Sequence, residues 1–171
     1  YERKIEILKS IGCNAIRMTH NPPAPQVLDL CDKHGMLVVD ELFDIWKYRK
    51  YDKVNGYHVF WNSWWKKDVR QFMLRDRNHP CIIAWSGGNE VPEITRGDGV
   101  SISENLRDEM LQYDSTRPYT VGTNAADGAY NGFGDTQGTF GYNYKPSHYA
   151  GYAGKRAEMP FYGSETASCV G

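Results

Sequence analysis

The stretch Cys81-Ile82-Ile83-Ala84-Trp85-Ser86-Gly87-Gly88-Asn89-Glu90 joins a continuous apolar run to a polar pair. An apolar run without polar alternation is typical of a strand that is buried on both faces of a parallel sheet. A second run, Pro160-Phe161-Tyr162-Gly163-Ser164, also ends in a carboxylate, Glu165. Because parallel strands point their carboxyl ends to one edge of the sheet, the side chains of Glu90 and Glu165 are predicted to lie near each other.

The rest of the chain alternates between strand patterns and helix patterns. Strands are predicted at 13–18, 36–39, 81–90, 119–122, 139–144 and 161–164. Apolar residues at helical spacing predict helices at 1–11, 25–34, 61–79, 102–113 and 148–158. Residues 42–60 are expected to form a loop over the end of the sheet, and the Gly-rich and Asn-rich segment 125–138 to lack a regular helix. This alternation predicts an α/β protein with a parallel sheet.

Two α/β architectures fit such an alternation. Polar residues collect after each strand, which favours a (β/α)8 TIM barrel, where active sites lie at the carboxyl ends of the strands. A doubly wound sheet would usually bring a glycine-rich phosphate turn after an early strand, and Gly87-Gly88-Asn89-Glu90 does not continue with that spacing. A complete barrel has eight strands and about 250 residues. The predicted fold is therefore a partial TIM barrel of about six strands, one domain over residues 1–171 that is truncated at both ends.

Composition and charge narrow the range of partners. The chain has 20 basic and 21 acidic residues, a formal net charge of −1, so neither nucleic acid nor an anionic membrane is favoured as a partner. No apolar run reaches about 18 residues, so no membrane span is predicted. The four cysteines form no CxxC pair, so no zinc site is predicted: Cys13, Cys31, Cys81 and Cys169. They are interpreted as small buried hydrophobes, and disulfide pairing stays open. No other metal and no cofactor is predicted. The cellular compartment is not indicated, and a secreted or periplasmic parent protein stays open.

Two carboxyl groups at one end of a parallel sheet suit the cleavage of a glycosidic bond. In a retaining glycosidase one carboxyl group gives and takes a proton, and the other attacks the sugar. The two groups therefore need different electrostatic surroundings. A single acid after a strand is more commonly a helix cap or a surface charge, so the prediction depends on the pair.

Five ordered segments resemble glycoside hydrolase family 2, which holds the β-galactosidases, β-glucuronidases and β-mannosidases. They are Asn14 to Pro22, Val39-Asp40-Glu41, Arg75 to Pro80, Trp85 to Glu90 and Gly163-Ser164-Glu165. The resemblance covers nearly the whole chain. It implies a TIM barrel that follows β-sandwich domains in a larger enzyme, with this chain corresponding to barrel strands two to seven.

The resemblance also implies roles for individual residues. Glu90 matches the general acid/base, Glu165 the nucleophile, and Asn89 the amide that binds the sugar 2-hydroxyl. Arg17 and Tyr144 match groups that hold the nucleophile ionised and oriented, and His20 and Glu41 match polar groups that line the sugar subsite. In some members the position of Glu41 binds magnesium, an assignment that is not extended to this chain.

Further candidates come from the residues themselves. Trp46, in the predicted loop, is a candidate for stacking on a sugar ring, since binding residues commonly lie in loops. Tyr57 is another such candidate, whereas the helical period places Trp61 in a core. Asp40, Asp44 and Glu93 are secondary acid candidates, and three histidines are expected to be structural or exposed: His34, His58 and His79.

The predicted function is retaining hydrolysis of terminal, non-reducing β-D-glycosides in the parent enzyme, with β-galactosides preferred. The alternatives are β-glucuronidase or β-mannosidase activity, or a catalytically inactive barrel fragment. The expected partner is a carbohydrate substrate. An open sheet also leaves edges through which copies of the chain could associate as a homo-oligomer.

Overall fold

The computed structural model describes residues 1–52 and 54–167, in which strands and helices alternate along the chain. The strands are β1 (Ala15–Arg17), β2 (Leu37–Glu41), β3 (Ile82–Asn89), β4 (Tyr119–Thr123), β5 (Phe140–Asn143) and β6 (Phe161–Glu165). The helices are α1 (Glu2–Ser10), α2 (Pro25–His34), α3 (Trp61–Asp76), α4 (Gly99–Leu111) and α5 (Tyr149–Lys155). Each predicted strand and helix is present, with ends that differ by a few residues.

The strands form one parallel sheet in the order β1-β2-β3-β4-β5-β6. A flat sheet would hold β1 and β6 about 24 Å apart, five spacings of about 4.8 Å. Instead, the guanidinium of Arg17 at the end of β1 lies 2.7 Å from the carboxylate of Glu165 at the end of β6. The sheet is therefore strongly curled, and the prediction of a partial TIM barrel is confirmed.

Local sequence signals account for several element ends. Pro25 occupies the first turn of α2, where a missing backbone N–H costs nothing, and Gly35 ends that helix in the left-handed conformation with φ of 64°. The predicted loop at 42–60 contains a 3₁₀ turn, Tyr57–Val59. The segment 125–138 forms two 3₁₀ turns, Ala126–Ala129 and Gly134–Thr136, in place of a regular helix.

The main apolar core contains residues from both the strands and the helices. Leu28, Val69 and Leu106 of three helices belong to one buried cluster with Val38 and Ile82 of the sheet. Burying a side chain of this size contributes about 1.5–3 kcal/mol. This packing fixes the strands and therefore the positions of the side chains at their carboxyl ends.

Two expectations from composition concern cysteines and membrane helices. Cys31 and Cys81 are buried in the main core, Cys13 is half-buried, and Cys169 lies outside the described residues. Among residues 1–52 and 54–167, each helix is too short or too polar to cross a bilayer.

Candidate active site

Polar side chains from the ends of five strands meet at one edge of the sheet. Arg17 ends β1, Glu41 ends β2, Asn89 ends β3, Asn143 ends β5 and Glu165 ends β6. Glu90 follows Asn89 directly, and Tyr144 follows Asn143. Parallel pairing brings these ends together because Asn143 is in register with Glu165. The two acids that the sequence singled out therefore lie on the same edge, as predicted.

Glu165 is held by two hydrogen-bond donors. Arg17 Nη1 donates to Glu165 Oε1 at 2.7 Å, and the Tyr144 hydroxyl donates to Glu165 Oε2. Partial burial opposes ionisation of Glu165, but the hydrogen bonds from Tyr144 and Arg17 outweigh it, so the pKa of this carboxyl is lowered. Glu165 is thus suited to remain a carboxylate in mildly acidic solution.

Glu41 anchors the other side of Arg17. Its Oε2 accepts hydrogen bonds from Arg17 Nη2 and from the Ser86 hydroxyl, both at 2.6 Å. Its Oε1 lies 2.7 Å from His20 Nδ1. Because an ionised carboxylate can only accept, the proton of the His20 ring is assigned to Nδ1. His20 Nε2 then lies 3.3 Å from Asn89 Nδ2, from which it accepts in this tautomer, and 3.8 Å from Glu165 Oε1.

Asn89 and Asn143 connect the two acids. Asn89 Oδ1 accepts from Arg17 Nη2 at 3.0 Å and from Asn143 Nδ2 at 2.9 Å. Asn143 Nδ2 also donates to Glu90 Oε1 at 3.0 Å, while its Oδ1 accepts from the Ser164 hydroxyl at 2.6 Å. An uninterrupted network of hydrogen bonds therefore runs from Glu165 through Arg17, Asn89 and Asn143 to Glu90.

Glu90 and Tyr144 both have left-handed backbone conformations. Their φ angles are 47° and 56°, a region that costs a non-glycine residue about 1–2 kcal/mol. Each N–H is held by the neighbouring strand: Glu90 N donates to Gly122 O at 2.7 Å, and Tyr144 N donates to Glu165 O at 2.6 Å. The strand pairing thus stabilises two strained residues whose side chains contact this network.

Gly122 of β4 leaves space for the network. A Cβ added to this residue would lie 2.6 Å from Arg17 Nη2, 2.9 Å from Asn89 Oδ1 and 3.2 Å from Asn143 Oδ1. The first two distances are shorter than real Cβ contacts allow. A larger residue at Gly122 would therefore force the side-chain ends of Arg17 and Asn89 to move.

Comparison with known proteins decides the family. Residues 1–140 match the family described as glycosyl hydrolases family 2, TIM barrel domain. The chain belongs to this family. The resemblance to this family is thereby confirmed, with four of the five ordered motifs inside the matched residues.

Proteins similar to this chain include enzymes that are named for more than one substrate class. A β-galactosidase, BoGH2A, from Bacteroides ovatus is 36% identical over 99% of this chain and 23% of its own length. A β-glucuronidase from Felis catus is 30% identical over 72% of this chain and 18% of its own length. The chain thus spans less than a quarter of either relative.

Solved structures of similar proteins agree with the fold. A glycosyl hydrolase family 2 member from Bacteroides cellulosilyticus superposes with a TM-score of 0.90 at 40% identity, covering 95% of this chain and 21% of that one. A β-glycosidase from Bacteroides vulgatus superposes with a TM-score of 0.82 at 31% identity, covering 97% of this chain and 20% of that one. The curled six-stranded sheet therefore corresponds to part of the family 2 barrel.

The expected sugar-stacking role of Trp46 does not agree with the structure. Its side chain is 0% exposed and its ring lies against those of Trp61 and Phe133. Its indole N–H donates to the carbonyl of Gly87 at 2.8 Å. A buried ring offers no face to a sugar. The hydrogen bond to Gly87 instead gives Trp46 a structural role next to the end of β3. Trp61 is buried, as its helical period predicted.

Tyr57, the other stacking candidate, is partly buried. Its ring lies 4.5 Å from that of Phe43, and its hydroxyl donates to Asp68. These contacts tie the loop after β2 to helix α3. They assign Tyr57 a packing role in the described structure.

The three secondary acids lie outside the network. Asp40 is fully buried beside Asp76 of α3, and burial together with that neighbouring carboxyl raises the pKa of Asp40. Successive strand residues face opposite sides, which is why Asp40 points away from the side that Glu41 occupies. Glu93 is buried and accepts the N–H of Tyr48, and Asp44 pairs with Lys50. Glu93 and Asp44 thus have structural partners.

Three histidines were expected to be structural or exposed. His34 and His79 form ion-pair contacts with Glu2 and Asp32, at 2.8 and 2.6 Å. His58 is half-exposed in the 3₁₀ turn Tyr57–Val59. These positions agree with the expectation.

Within residues 1–52 and 54–167, one group of side chains has the donor types and spacing of a metal site, and Glu41 is a single buried carboxylate. Ligand atoms of Glu2, Glu6 and His34 lie within 4.8 Å of one another near the surface, but Lys33 Nζ already contacts Glu2 at 2.8 Å. Glu41 accepts from Arg17, Ser86 and His20 with its two oxygens, and a cation there would meet the guanidinium. Neither arrangement favours a metal over the hydrogen-bond partners that are present.

Asn143 and Lys50 are the residues that sequence reasoning missed. Lys50 Nζ is buried and contacts Asp44 Oδ1 at 2.6 Å and the carbonyl of Asn89 at 2.9 Å. It therefore ties the loop after β2 to the peptide that precedes Glu90. The position of Asn143 directly after an apolar strand run, beside Tyr144, was the available signal.

Proposed function

We propose that the parent protein hydrolyses terminal β-D-glycosides with retention of configuration, with β-galactosides as its preferred substrates. The observation that carries this proposal is the hydrogen-bonded chain that links Glu165 to Glu90. It gives the two carboxyl groups different surroundings, as double displacement requires. Family 2 membership and the similarity to the Bacteroides ovatus β-galactosidase over almost the whole chain support the choice.

In the first step, Glu165 attacks the anomeric carbon as a carboxylate. Arg17 and Tyr144 hold its oxygens and keep it ionised. Glu90 gives its proton to the oxygen of the leaving group as the glycosidic bond breaks. The sugar is then bound to Glu165 as an ester.

In the second step, Glu90 accepts a proton from a water molecule that attacks the anomeric carbon. The ester bond to Glu165 breaks, and the sugar leaves with its original configuration. Asn89 uses one amide N–H for His20. The second N–H of that amide is the proposed donor to the sugar 2-hydroxyl, a contact that strengthens in the transition state.

β-Glucuronidase activity is the second candidate. The β-glucuronidase from Felis catus is similar over 72% of this chain, so this part of the barrel does not separate the two substrate classes. The finer assignment depends on side chains that recognise the 6-position of the sugar. Homo-oligomer formation through the sheet edges at β1 and β6 stays a prediction.

A substrate panel tests the proposed function. The full-length protein is expected to hydrolyse 4-nitrophenyl β-galactoside with a higher kcat/KM than the matching β-glucuronide or β-mannoside. The α-galactoside serves as the stereochemical control. Proton NMR of the first product should show the β-anomer. Hydrolysis of none of these β-glycosides, or appearance of the α-anomer first, would contradict the proposal.

Gly122→Ala is expected to lower kcat by about 10²-fold, since displacement of a catalytic group by about 1 Å has an effect of this size. The added methyl group would push Arg17 and Asn89 away from their partners. Gly97→Ala is the matched control, because a Cβ there meets nothing within 4 Å. Steady-state kinetics compares kcat of the two variants, and far-UV circular dichroism checks that both are folded. A folded Gly122→Ala variant with unchanged kcat would show that the network tolerates displacement.

A further inference from the structure

Lys50 is buried in the loop after β2, although lysine is seldom found in a protein interior. Among residues 1–52 and 54–167 it is the only buried lysine, with 5% of its surface exposed. Moving an ammonium group out of water is unfavourable unless charged and polar partners replace the water. The partners of Lys50 therefore indicate what this buried charge does.

The ammonium of Lys50 joins the loop to the end of strand β3. Its Nζ lies 2.6 Å from Asp44 Oδ1, within the same loop, and 2.9 Å from the carbonyl oxygen of Asn89. A longer contact, 3.5 Å, reaches the carbonyl of Asp44. The ion pair with Asp44 compensates for the burial of the charge, and the contact with Asn89 directs that charge to the last residue of β3.

The peptide group between Asn89 and Glu90 is held at both ends. Lys50 donates to its carbonyl, and its N–H, which belongs to Glu90, donates to the carbonyl of Gly122 at 2.7 Å. Regular strand pairing does not continue to this point, because the register between β3 and β4 shifts between Ser86 and Asn89. A side-chain donor therefore completes the fixation of the last peptide of the strand.

The orientation of this peptide determines the backbone conformation of Glu90. Its φ of 47° is the rotation about the bond that follows the peptide N–H, and this value is unfavourable for a residue other than glycine. Such a conformation persists only where the surrounding structure holds it. The two hydrogen bonds, from Lys50 and to Gly122, supply that constraint.

The direction of the Glu90 carboxyl group follows from the same backbone. Asn143 Nδ2 lies 3.0 Å from Glu90 Oε1, and the hydroxyl of Tyr51, next to Lys50 in sequence, lies 3.5 Å from Oε2. Both contacts depend on where the Cα–Cβ bond of Glu90 points. A rotation of the Asn89–Glu90 peptide would displace the carboxyl group from both.

We propose that Lys50 is a positioning residue for Glu90: its buried ammonium fixes the last peptide of β3 and thereby the direction of the Glu90 carboxyl group. The inference rests on the proposed function, because it takes Glu90 as the proton donor. Lys50 itself contacts no reacting atom in this scheme.

The test compares two substrates that share one sugar and differ in their need for a proton. A phenyl β-glycoside has a poor leaving group, whereas a 2,4-dinitrophenyl β-glycoside needs no proton. In the full-length protein, Lys50→Met keeps an unbranched side chain but removes the donor. It is expected to lower kcat/KM for the phenyl glycoside about 10²-fold more than for the dinitrophenyl glycoside, the effect of displacing a catalytic group by about 1 Å.

Lys47→Met is the matched control. Lys47 lies in the same loop and also forms an ion pair, with Asp98 at 2.9 Å, but that pair joins the loop to the start of α4. The ratio of the two kcat/KM values should stay at the wild-type value in this variant. An equal change in the ratio for Lys47→Met would attribute the effect to general loosening of the loop and would overturn the role of Lys50.

Lys50→Arg tests whether a donor at this position is what matters. The guanidinium can still donate to both Asp44 and the Asn89 carbonyl, although its planar shape differs from that of an ammonium. The ratio of the two kcat/KM values should therefore lie closer to wild type than in Lys50→Met. Arginine and methionine variants with the same altered ratio would contradict the role of the donor.

Loss of the fold is controlled separately. Circular dichroism checks each variant, and Lys50→Met/Asp44→Asn removes both members of the ion pair, so the carboxylate of Asp44 does not remain without its ammonium. This double variant should show the same selective loss on the phenyl glycoside, and it provides the measurement if Lys50→Met alone does not fold. A folded double variant with the wild-type ratio would overturn the inference.

The outcomes separate this inference from the proposed function. If the wild-type protein hydrolyses no β-glycoside, the proposed function is wrong and the role of Lys50 is wrong with it. If Glu90→Gln distinguishes the two leaving groups but folded Lys50→Met does not, only the role of Lys50 is wrong. An equal loss on both substrates in Lys50→Met would show a general structural role in place of positioning.

Discussion

Glu165→Gln in the full-length protein is expected to reduce kcat by at least about 10⁴-fold for every glycoside, because the amide cannot form the glycosyl ester. In the wild-type protein, Arg17 and Tyr144 donate hydrogen bonds to the Glu165 carboxylate. Glutamine would also remove the negative charge that the Arg17 guanidinium contacts. Substrate binding should persist, since the remaining polar groups are unchanged. Steady-state kinetics with 4-nitrophenyl and 2,4-dinitrophenyl glycosides measure the loss.

Two further measurements make the assignment of Glu165 specific. Glu158→Gln applies the same chemical change to an exposed acid seven positions upstream and should leave kcat within about twofold, as for most surface substitutions. A 2-deoxy-2-fluoro glycosyl inactivator should label Glu165 in the wild-type protein. Mass spectrometry of the proteolytic peptides identifies the labelled residue. Labelling of a different acid, or a folded Glu165→Gln variant with full activity, would assign the nucleophile elsewhere.

Glu90→Gln is expected to separate substrates by their leaving groups. Positioned proton transfer is worth about 10²–10⁴ in rate, so a substrate with a poor leaving group should lose activity by a factor in this range. A 2,4-dinitrophenyl leaving group needs no proton, so formation of its glycosyl-enzyme should be slowed far less. Burst kinetics should then show accumulation of the intermediate, because its hydrolysis still needs a base.

Azide supplies the complementary check on Glu90. In the Glu90→Ala variant, azide should replace water in the second step and yield the β-glycosyl azide. The control variant Glu104→Ala, at an exposed helix position, should form no glycosyl azide. An equal loss for good and poor leaving groups would show that Glu90 does not act as the proton donor. Formation of the α-azide from Glu90→Ala would point to a different geometry of attack.

Much of the fold was predictable because its signals are local. Apolar runs such as 81–90 and helical spacing such as that of Leu28 and Cys31 identify buried elements from sequence alone. Their ends were less accurate: the strand predicted at 13–18 is only Ala15–Arg17 in the structure. Strand ends depend on the hydrogen bonds of the neighbouring strand, which a single sequence does not show.

The candidate site was predictable where residues stand at strand ends in recognisable motifs. Arg17 contacts both Glu165 and Asn89, and Glu90 directly follows Asn89 at the same edge of the sheet. Asn143 was missed because its significance comes from two partners at the end of β3, Asn89 and Glu90, which lie 54 and 53 positions away in sequence.

Trp46 shows the opposite error. A tryptophan in a polar loop suggests an exposed binding residue, but tertiary packing buried it beneath Gly88, where a Cβ would lie 2.6 Å from its indole nitrogen. The glycine and the tryptophan fit each other across 42 positions of sequence. Such complementary pairs become visible only when the coordinates are known.

The ion pair between Arg17 and Glu165 has a consequence for how such a barrel can diversify. It joins the first and last of six strands, so every intervening crossover must keep its register for the two groups to meet. Slipping one strand by a residue would move a side chain by about 3.3 Å and turn it to the other face. Insertions and deletions are therefore tolerable only in connecting segments such as 42–60 and 124–139. New substrate preferences would arise by remodelling those connections around an invariant strand framework.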